Sequence, residues 1–277
     1  MTNHYATEVD TWRAQEETKL RAENGWLAVS GLLWLREGPN TFGTAESNDI
    51  ILPPNSTVPH AGVFVLSEGS TTVEMNNGVE ALINAKPLPP GRTRMQSDEA
   101  PAPDRLSLNA MSMMVLKRGV RHAIRLWDNH SDARRDFAGR KWFPIDEAWC
   151  LNARFMPYAS PKPLTILNML GDLEPANSPG IVTFAVAGVS YSLEAEGDLP
   201  EKRLFFNFRD ATNGRQTYGA GRFLTTSGVV NGYVNVDFNK AVSPPCAFTP
   251  YATCPLPRNE NILSIAVPVG ELASFHY

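Results

Sequence analysis

Short apolar runs separated by turn residues characterise the chain from Thr41 onward. Two pairs of runs, Gly62 to Leu66 with Thr71 to Met75 and Ser112 to Lys117 with Val120 to Trp127, each flank a short turn that contains glycine. β-Branched and aromatic residues on both sides of a glycine turn are typical of β-hairpins. The first half of the chain is therefore predicted to contain two antiparallel hairpins.

One segment near the start, Thr7 to Asn24, has the spacing of an amphipathic helix and ends at Asn24-Gly25, a pair suited to a C-cap. The narrow apolar stripe along this helix is formed by Val9, Trp12, Glu16 and Leu20. Because the other faces are charged, the helix is expected to lie on a surface. The next segment, Trp26 to Leu35, is evenly apolar, so periodicity does not distinguish a helix from a strand there, but burial is expected.

The second half also has the pattern of strands, and no long periodic helix connects them. This absence argues against a doubly wound parallel sheet. The predicted strands are Leu164 to Met169, Ile181 to Ala187, Val189 to Glu194, Arg203 to Arg209, Arg222 to Thr226, Gly232 to Phe238 and Ile262 to Val267.

These elements predict a mainly β protein, with an N-terminal helix plus a small β-sandwich, followed by a C-terminal antiparallel β-barrel or curved sheet. The predicted limits are 1–25 for the surface helix, 26–128 for the sandwich, 129–144 for a charged linker and 145–277 for the C-terminal β domain.

Composition narrows the range of partners and compartments. Of the 277 residues, 25 are Lys or Arg and 29 are Asp or Glu, so the net charge is −4 and bulk attraction to nucleic acid is absent. The acidic N-terminus lacks the apolar core of a signal peptide, and no apolar run is long enough to span a membrane. We therefore expect a cytoplasmic protein whose three cysteines are reduced, with a disulfide between Cys246 and Cys254 as the alternative.

The common catalytic motifs are incomplete in this sequence. Gly188 to Ser192 begins like the G-x-S-x-G elbow but has Ser at its last position. Gly214 to Gly219 has the glycine spacing of a phosphate loop but lacks the Lys-Ser/Thr pair that should follow. The five histidines are scattered without the spacing of zinc ligands. We therefore predict no metal and no cofactor.

Polar side chains concentrate between Phe208 and Leu224, in the segment FRDATNGRQTYGAGRFL. Asp210 precedes a Thr-Asn-Gly turn whose amide groups its side chain can cap. Arg and Tyr bind carboxylates or phosphates, and a neighbouring Asp can serve as a base. The candidate catalytic residues are Asp210, Tyr218 and Arg222, and Arg209 is a candidate ligand-binding residue. The alternative is an Asp–Arg ion pair that stiffens a hairpin.

A proline-rich loop follows, with the sequence VDFNKAVSPPCAFTPYATCPLP. Prolines fix its backbone, so the loop can form the wall of a pocket. Its candidate ligand-binding residues are Asp237, Asn239, Cys246 and Cys254. The alternative for the two cysteines is a buried structural role, because no histidine lies in the segment to activate a thiol.

These two segments resemble the signature of a bacterial and archaeal family, domain of unknown function number sixteen eighty-four. The pieces GWLAVSGLLWLREGPNTFG and SNDIILP are similar to the family's opening motifs, so the resemblance extends from about Trp26 to Glu271. The resemblance marks most of the candidate residues named above as recurrent positions of the family, and it adds Asn261 and Glu271. The family has no established activity.

Part of the first half is similar in rhythm to forkhead-associated domains, β-sandwiches that recognise phosphothreonine. The matching pieces are Phe42-Gly43, Asn48 to Leu52, His60-Ala61 and Ile83-Asn84. The arginine expected after Gly43 is Thr44, and the arginine expected ahead of His60 is absent. The resemblance therefore implies a sandwich more than it implies phosphopeptide binding.

Two functional hypotheses follow. In the first, the C-terminal domain binds a small polar or anionic molecule and, if it is an enzyme, acts as a hydrolase or lyase with Asp as base and with Arg and Tyr as anion stabilisers. In the second, the protein is a non-catalytic interaction module that uses the N-terminal sandwich, with a homodimer or another protein as partner. A third interpretation is that the polar residues satisfy one another and bind nothing.

Overall fold

The computed structural model describes residues 4–197 and 203–273. The chain divides into two compact units. Met1–Lys19 and Ala138–Tyr277 form the C-terminal unit, and Leu20–Phe137 form the N-terminal unit. The division after Phe137 lies inside the predicted linker, whereas the N-terminal helix belongs to the C-terminal unit, an assignment that its sequence did not indicate.

The N-terminal helix, α1, spans His4–Arg21, three residues ahead of the predicted limits at both ends. Val9 and Leu20 are buried and Trp12 is half-buried, so the predicted stripe is the inner face of the helix. Asn24 has a positive φ of 58°, a conformation that Asn tolerates in the turn after a helix.

The N-terminal unit contains two mainly antiparallel sheets. Their strands are β1 (Val29–Trp34), β2 (Gly38–Gly43), β3 (Ile50–Ile51), β4 (Gly62–Ser67), β5 (Ser70–Met75), β6 (Leu82–Ile83), β7 (Lys86–Pro87), β8 (Thr93–Met95), β9 (Leu106–Leu108), β10 (Met111–Arg118) and β11 (Arg121–Asp128). One sheet has the order β1-β11-β10-β9-β6-β7 and the other the order β3-β2-β4-β5-β8. The short helix α2, Asp132–Arg135, follows β11.

Both predicted hairpins are confirmed, as β4–β5 and β10–β11. Alternate residues of these strands point into one apolar core, in which Phe42 and Phe64 stack with ring centroids 4.7 Å apart. The ambiguous segment after α1 forms a turn of 3₁₀ helix, Trp26–Ala28, and then β1. The expectation of burial is wrong for Trp34, which is 37% exposed.

The C-terminal unit contains the strands β12 (Cys150–Leu167), β13 (Leu173–Val186), β14 (Val189–Glu194), β15 (Arg203–Phe208), β16 (Arg222–Gly228) and β17 (Tyr233–Asp237). They form a four-stranded antiparallel sheet, β14-β13-β12-β17, and a separate pair, β15-β16. Among the described residues no barrel closes, so open sheets are observed rather than the barrel alternative.

Three strand predictions in this unit are corrected by the structure. The predicted strand Ile181 to Ala187 is only the last part of β13, which begins at Leu173. β12 is much longer than the predicted Leu164 to Met169, because its prolines occupy positions around a break in the pairing with β13, between Pro157 and Lys162. Ile262 to Val267 is not a strand. This segment runs past the end of β15, where the Leu263 amide donates to the Arg209 carbonyl at 2.8 Å and the Ala211 amide to the Ile265 carbonyl at 2.9 Å.

Aromatic packing positions the proline-rich loop. The Phe238 ring makes edge contacts with Trp149, Phe184 and Phe208, with centroid separations of 5.4–6.0 Å. Because Phe238 is fully buried between Asp237 and Asn239, this core fixes the position of both neighbours. In the described part of the chain, no helix has the length and apolar character to cross a membrane.

Candidate functional site

Asp210 and Arg222 form an ion pair inside the C-terminal unit. Arg222 Nη2 lies 2.7 Å from Asp210 Oδ2, and neither side chain has exposed surface. Asp210 Oδ1 also accepts hydrogen bonds from the Thr212 amide at 2.9 Å, the Thr212 hydroxyl at 2.7 Å and the Val267 amide at 3.1 Å. The predicted capping of the turn by the Asp210 side chain is confirmed. The contact between Asp210 and Arg222 has the geometry of a structural ion pair, which was the alternative to a catalytic role.

The same arginine holds a neighbouring segment in place. Arg222 Nη1 donates to the Val269 carbonyl and Nη2 to the Val267 carbonyl, the latter at 2.9 Å. Burial lowers the pKa of Arg222, although attraction by Asp210 opposes this. These hydrogen bonds connect the start of β16 to the segment before Glu271, so Arg222 has a structural role.

A second buried ion pair, outside the predicted site, involves Arg140 and Glu271. Glu271 Oε2 accepts hydrogen bonds from Arg140 Nη1 and from the Ser243 amide, the latter at 2.7 Å. Burial raises the pKa of Glu271 to about 7, against the opposing charge of Arg140. Glu271 also attracts the Arg222 charge, so the two ion pairs form one network. Glu271 was among the positions that the family resemblance marked, whereas Arg140 lies in the predicted linker.

Tyr218 and the two cysteines of the proline-rich loop lie together. The Tyr218 hydroxyl donates to the Cys246 carbonyl at 3.0 Å, and the Cys246 amide donates to Cys254 Sγ at 3.2 Å. Both cysteines are buried, and no disulfide joins them in the structure. Tyr218 therefore braces the loop through its backbone.

Asp237 and Asn239 also lie together, and Tyr5 of α1 joins them. The Tyr5 hydroxyl donates to Asp237 Oδ1 at 2.7 Å and accepts from Asn239 Nδ2 at 2.9 Å. Asn239 further bonds both backbone groups of Asp146 at 2.8–2.9 Å. Burial, followed by the bond to Asp237, raises the pKa of Tyr5. These contacts attach the N-terminal helix to the loop that follows β17.

Lys240 extends this network to the surface. Its Nζ lies 2.9 Å from Glu8 Oε1 and 3.3 Å from Asp237 Oδ2. Burial opposes the charge on Lys240, but the hydrogen bond to Glu8 and the attraction of Asp237 outweigh it and raise its pKa. The lysine thus remains charged between two carboxylates.

A surface groove of about 470 Å³ lies along this edge of α1. Residues three or four positions apart on a helix share a face, and the helical lining follows that spacing. The groove is lined by His4, Thr7, Glu8, Thr11, Trp12, Gln15 and Lys240. Through Glu8 and Lys240, the groove is continuous with the Asp237–Asn239 network.

Glu194 and Glu196 form a carboxyl pair that the sequence predictions missed. Glu194 accepts hydrogen bonds from the Tyr158 hydroxyl at 2.6 Å, Lys162 Nζ at 3.0 Å and Arg258 Nη1 at 2.7 Å. Burial would raise the pKa of Glu194, but these three donors lower it to about 2. The donors come from distant parts of the chain, so no local motif reveals them.

Glu196 has the opposite environment. It is 4% exposed, and among the described residues its Oε2 has no hydrogen-bond partner and its Oε1 has only a long contact of 3.4 Å from Asn261 Nδ2. Burial raises the pKa of Glu196 to about 7. The spacing of Glu194 and Glu196 could have indicated this carboxyl pair from the sequence, because residues two apart along an extended chain share a face.

Arg209 lies apart from the other candidate residues. Its side chain is exposed, while its backbone bonds to Asn261 and Leu263 at 3.0 and 2.8 Å. Within residues 4–197 and 203–273, no group of three His, Cys, Asp or Glu side chains is arranged to hold a metal ion.

Residues 135–272 match the sequence profile of a family described as a protein of unknown function, DUF1684. An uncharacterised protein of Haloarcula marismortui, solved by solution NMR, is 30% identical over 52% of this chain and 81% of its own length, with a TM-score of 0.44. The chain belongs to the DUF1684 family. The matched region contains every candidate site residue, but the DUF1684 description names no activity. No curated protein matches the chain.

Forkhead-associated domains are among the matching structures. The domain of FhaA, in complex with the intracellular domain of Rv3910, is 15% identical over 33% of this chain and 82% of its own length, with a TM-score of 0.24. The second such domain of the Mycobacterium tuberculosis ABC transporter Rv1747 is 18% identical over 33% of this chain and 77% of its own, also at 0.24. These matches agree with the resemblance found in the sequence and are too distant to carry a functional argument.

Proposed function

We propose that the C-terminal unit binds a small polar molecule in the groove along α1. The observation that supports this is the groove of about 470 Å³ lined by Lys240, which pairs with Asp237, one of the predicted ligand-binding residues. Binding sites for small molecules have volumes of roughly 300–1,000 Å³. Trp12 offers an apolar ring face, and the threonines and Gln15 offer polar groups for orientation.

The charges around the groove favour a neutral or amine-bearing ligand over an anion. Glu8 and Asp237 both pair with Lys240, so the carboxylates outnumber the cation. The arginine expected to bind an anion, Arg222, is buried in its ion pair with Asp210. The proposed ligand class is therefore small polyols, sugars, amino acids and amines.

A thermal-shift screen over these classes, with carboxylates and phosphates for comparison, tests the proposal. Gln15→Arg places a long side chain in the groove, and Thr18→Arg, at an exposed position of α1 that does not line it, is the matched control. We expect the shift in melting temperature caused by a ligand to vanish in the first variant and to persist in the second. A ligand that is bound equally by both variants, or a screen without any shift, contradicts the proposal.

For a hydrolase or lyase, Glu196 is better suited to proton transfer than Asp210. A carboxyl with a pKa of about 7 exchanges protons readily at neutral pH, and no residue of the described chain forms a hydrogen bond with Glu196 Oε2. Asp210, in contrast, accepts from Arg222, Thr212 and Val267. In a screen of hydrolase and lyase substrates, any activity should be lost in Glu196→Gln. An activity that survives this change removes Glu196 from the mechanism.

The interaction-module alternative is supported by a groove of about 500 Å³ in the N-terminal unit. Its lining, residues 74–82 and 87–91, places Glu74 and Glu80 beside Leu82 and Leu88. Such a surface complements a peptide that carries both basic and apolar residues. Fluorescence polarisation with labelled peptides of this type should show binding that is lost in Glu80→Lys. Binding that persists in this variant, or no binding at all, counts against the module.

A further inference from the structure

Two buried thiols are held next to each other in the proline-rich loop. Cys246 lies in a 3₁₀ turn, Pro245–Ala247, and its amide donates to Cys254 Sγ at 3.2 Å. The two cysteines are 6% and 5% exposed, and seven residues separate them in the chain. Hydrogen bonding to Cys254 also lowers the pKa of Cys246, which requires the two side chains to be neighbours.

The backbone around each thiol is anchored. The Tyr218 hydroxyl bonds the Cys246 carbonyl, and the Met169 amide donates to the Cys254 carbonyl at 2.9 Å. Prolines precede Cys246 and follow Cys254, which restricts the backbone further. The pair is therefore held in contact by the fold rather than by a chance approach of two mobile loops.

We propose that Cys246 and Cys254 are a redox-active dithiol that a peroxide converts to an intramolecular disulfide. This modification site is independent of the groove along α1. The Cys246 thiolate attacks one peroxide oxygen, and the O–O bond breaks. Hydroxide departs, and Cys246 becomes a sulfenic acid. Cys254 then attacks that sulfur, the S–O bond breaks, and the departing hydroxide takes the Cys254 proton as water. Two thiols lose two protons and two electrons in total, and the peroxide takes up both and is reduced to two waters.

Cys246 is the attacking residue because its pKa is lowered by the hydrogen bond to Cys254. Cys150 provides an internal contrast. It lies at the start of β12, and burial, followed by the charge of Asp237, raises its pKa. Cys150 should therefore stay a thiol at peroxide concentrations that oxidise the pair.

Intact-mass measurement and peptide mapping after brief hydrogen peroxide treatment test the proposal. The wild type and Cys150→Ser should each lose the mass of two hydrogen atoms, and dithiothreitol should restore it. The mass of two hydrogen atoms should not be lost in Cys246→Ser or in Cys254→Ser. Mapping should join the peptides of Cys246 and Cys254 in the wild type, a result that does not depend on whether the serine variants fold.

Three results would overturn the proposal. These are a linkage that includes Cys150, oxidation of the wild type to sulfinic acid without a disulfide stage, and a loss of two hydrogens that persists in Cys254→Ser. Circular dichroism of each variant before oxidation confirms that the fold is retained.

Discussion

Replacing Glu196 by Gln should stabilise the protein at pH 8, whereas the same replacement at Glu194 should destabilise it. The two residues lie two positions apart, and both side chains are buried. Their surroundings differ, because Glu194 accepts hydrogen bonds from Tyr158, Lys162 and Arg258, whereas Glu196 Oε2 has no partner within residues 4–197 and 203–273. The pair therefore provides a matched comparison in which one substitution has opposite effects.

The magnitude follows from the pKa values. The pKa of Glu196 rises from 4.5 to about 7 on folding, which is worth about 3 kcal/mol. Because the folded-state pKa is the higher one, this stability is present below pH 4.5 and is lost as the pH rises through about 7. The pKa of Glu194 falls to about 2, so its contribution is present above pH 4.5 and is lost as the pH falls. Lys162 is partly exposed and its pairing is screened, so we expect about 2 kcal/mol for Glu194.

Urea unfolding followed by tryptophan fluorescence at about pH 5, 7 and 8 measures these effects. The free energy of unfolding of Glu196→Gln should exceed that of the wild type by about 2–3 kcal/mol at pH 8 and should differ little at pH 5. Glu194→Gln should be less stable than the wild type at pH 7 and above. A Glu196→Gln variant that is destabilised at pH 8, or a wild type whose stability does not fall between pH 5 and 8 relative to that variant, refutes the reasoning.

Three further substitutions and one control test the structural roles of two predicted site residues and of Gly221 by urea unfolding at neutral pH. Arg222→Met leaves the Asp210 carboxylate buried without its cation and should lower the free energy of unfolding by about 3–5 kcal/mol, with no ligand present. Gly221→Ala should cost about 1–3 kcal/mol, because φ is +119° and a Cβ would lie 2.8 Å from the Phe208 carbonyl oxygen, whereas Gly219→Ala, without such contacts, should change stability by less than about 0.5 kcal/mol. Asn239→Ala removes the bonds to Tyr5 and Asp146 and should cost about 2–3 kcal/mol, with faster proteolysis of α1. Unchanged stability in Arg222→Met, Gly221→Ala or Asn239→Ala contradicts the role assigned to that residue.

Hairpins were predictable from the sequence because their strands and turns are neighbours in the chain. β4–β5 and β10–β11 alternate in the expected way around short turns. The extent of β12 was not predictable, since prolines disfavour a strand, and one of its prolines, Pro161, lies where the pairing with β13 breaks between Pro157 and Lys162. Ile262 to Val267 is apolar enough for a strand, but most of it bonds to the chain beyond β15 instead of forming a ladder.

Apart from Arg209, the predicted site residues lie in small groups, and distant residues complete some of these groups. Sequence proximity placed Asp237 beside Asn239, but Tyr5, which joins them, lies 232 residues before Asp237. The same holds for Glu194, whose donors Tyr158 and Arg258 are 36 and 64 residues away. Turns and candidate residue types could be predicted from neighbouring residues in the sequence. The groups that determine the protonation of the buried carboxyls come from distant segments, which only the folded chain brings together.

The bond between Tyr5 and Asp237 also constrains the order of events during synthesis. The N-terminal unit, Leu20–Phe137, is continuous and can fold as soon as it leaves the ribosome. α1 emerges earlier still, but Asp237 and Asn239 are translated more than two hundred residues later. α1 is thus made before the residues that it packs against, and its inward-facing Val9 becomes buried only after the C-terminal unit has been translated.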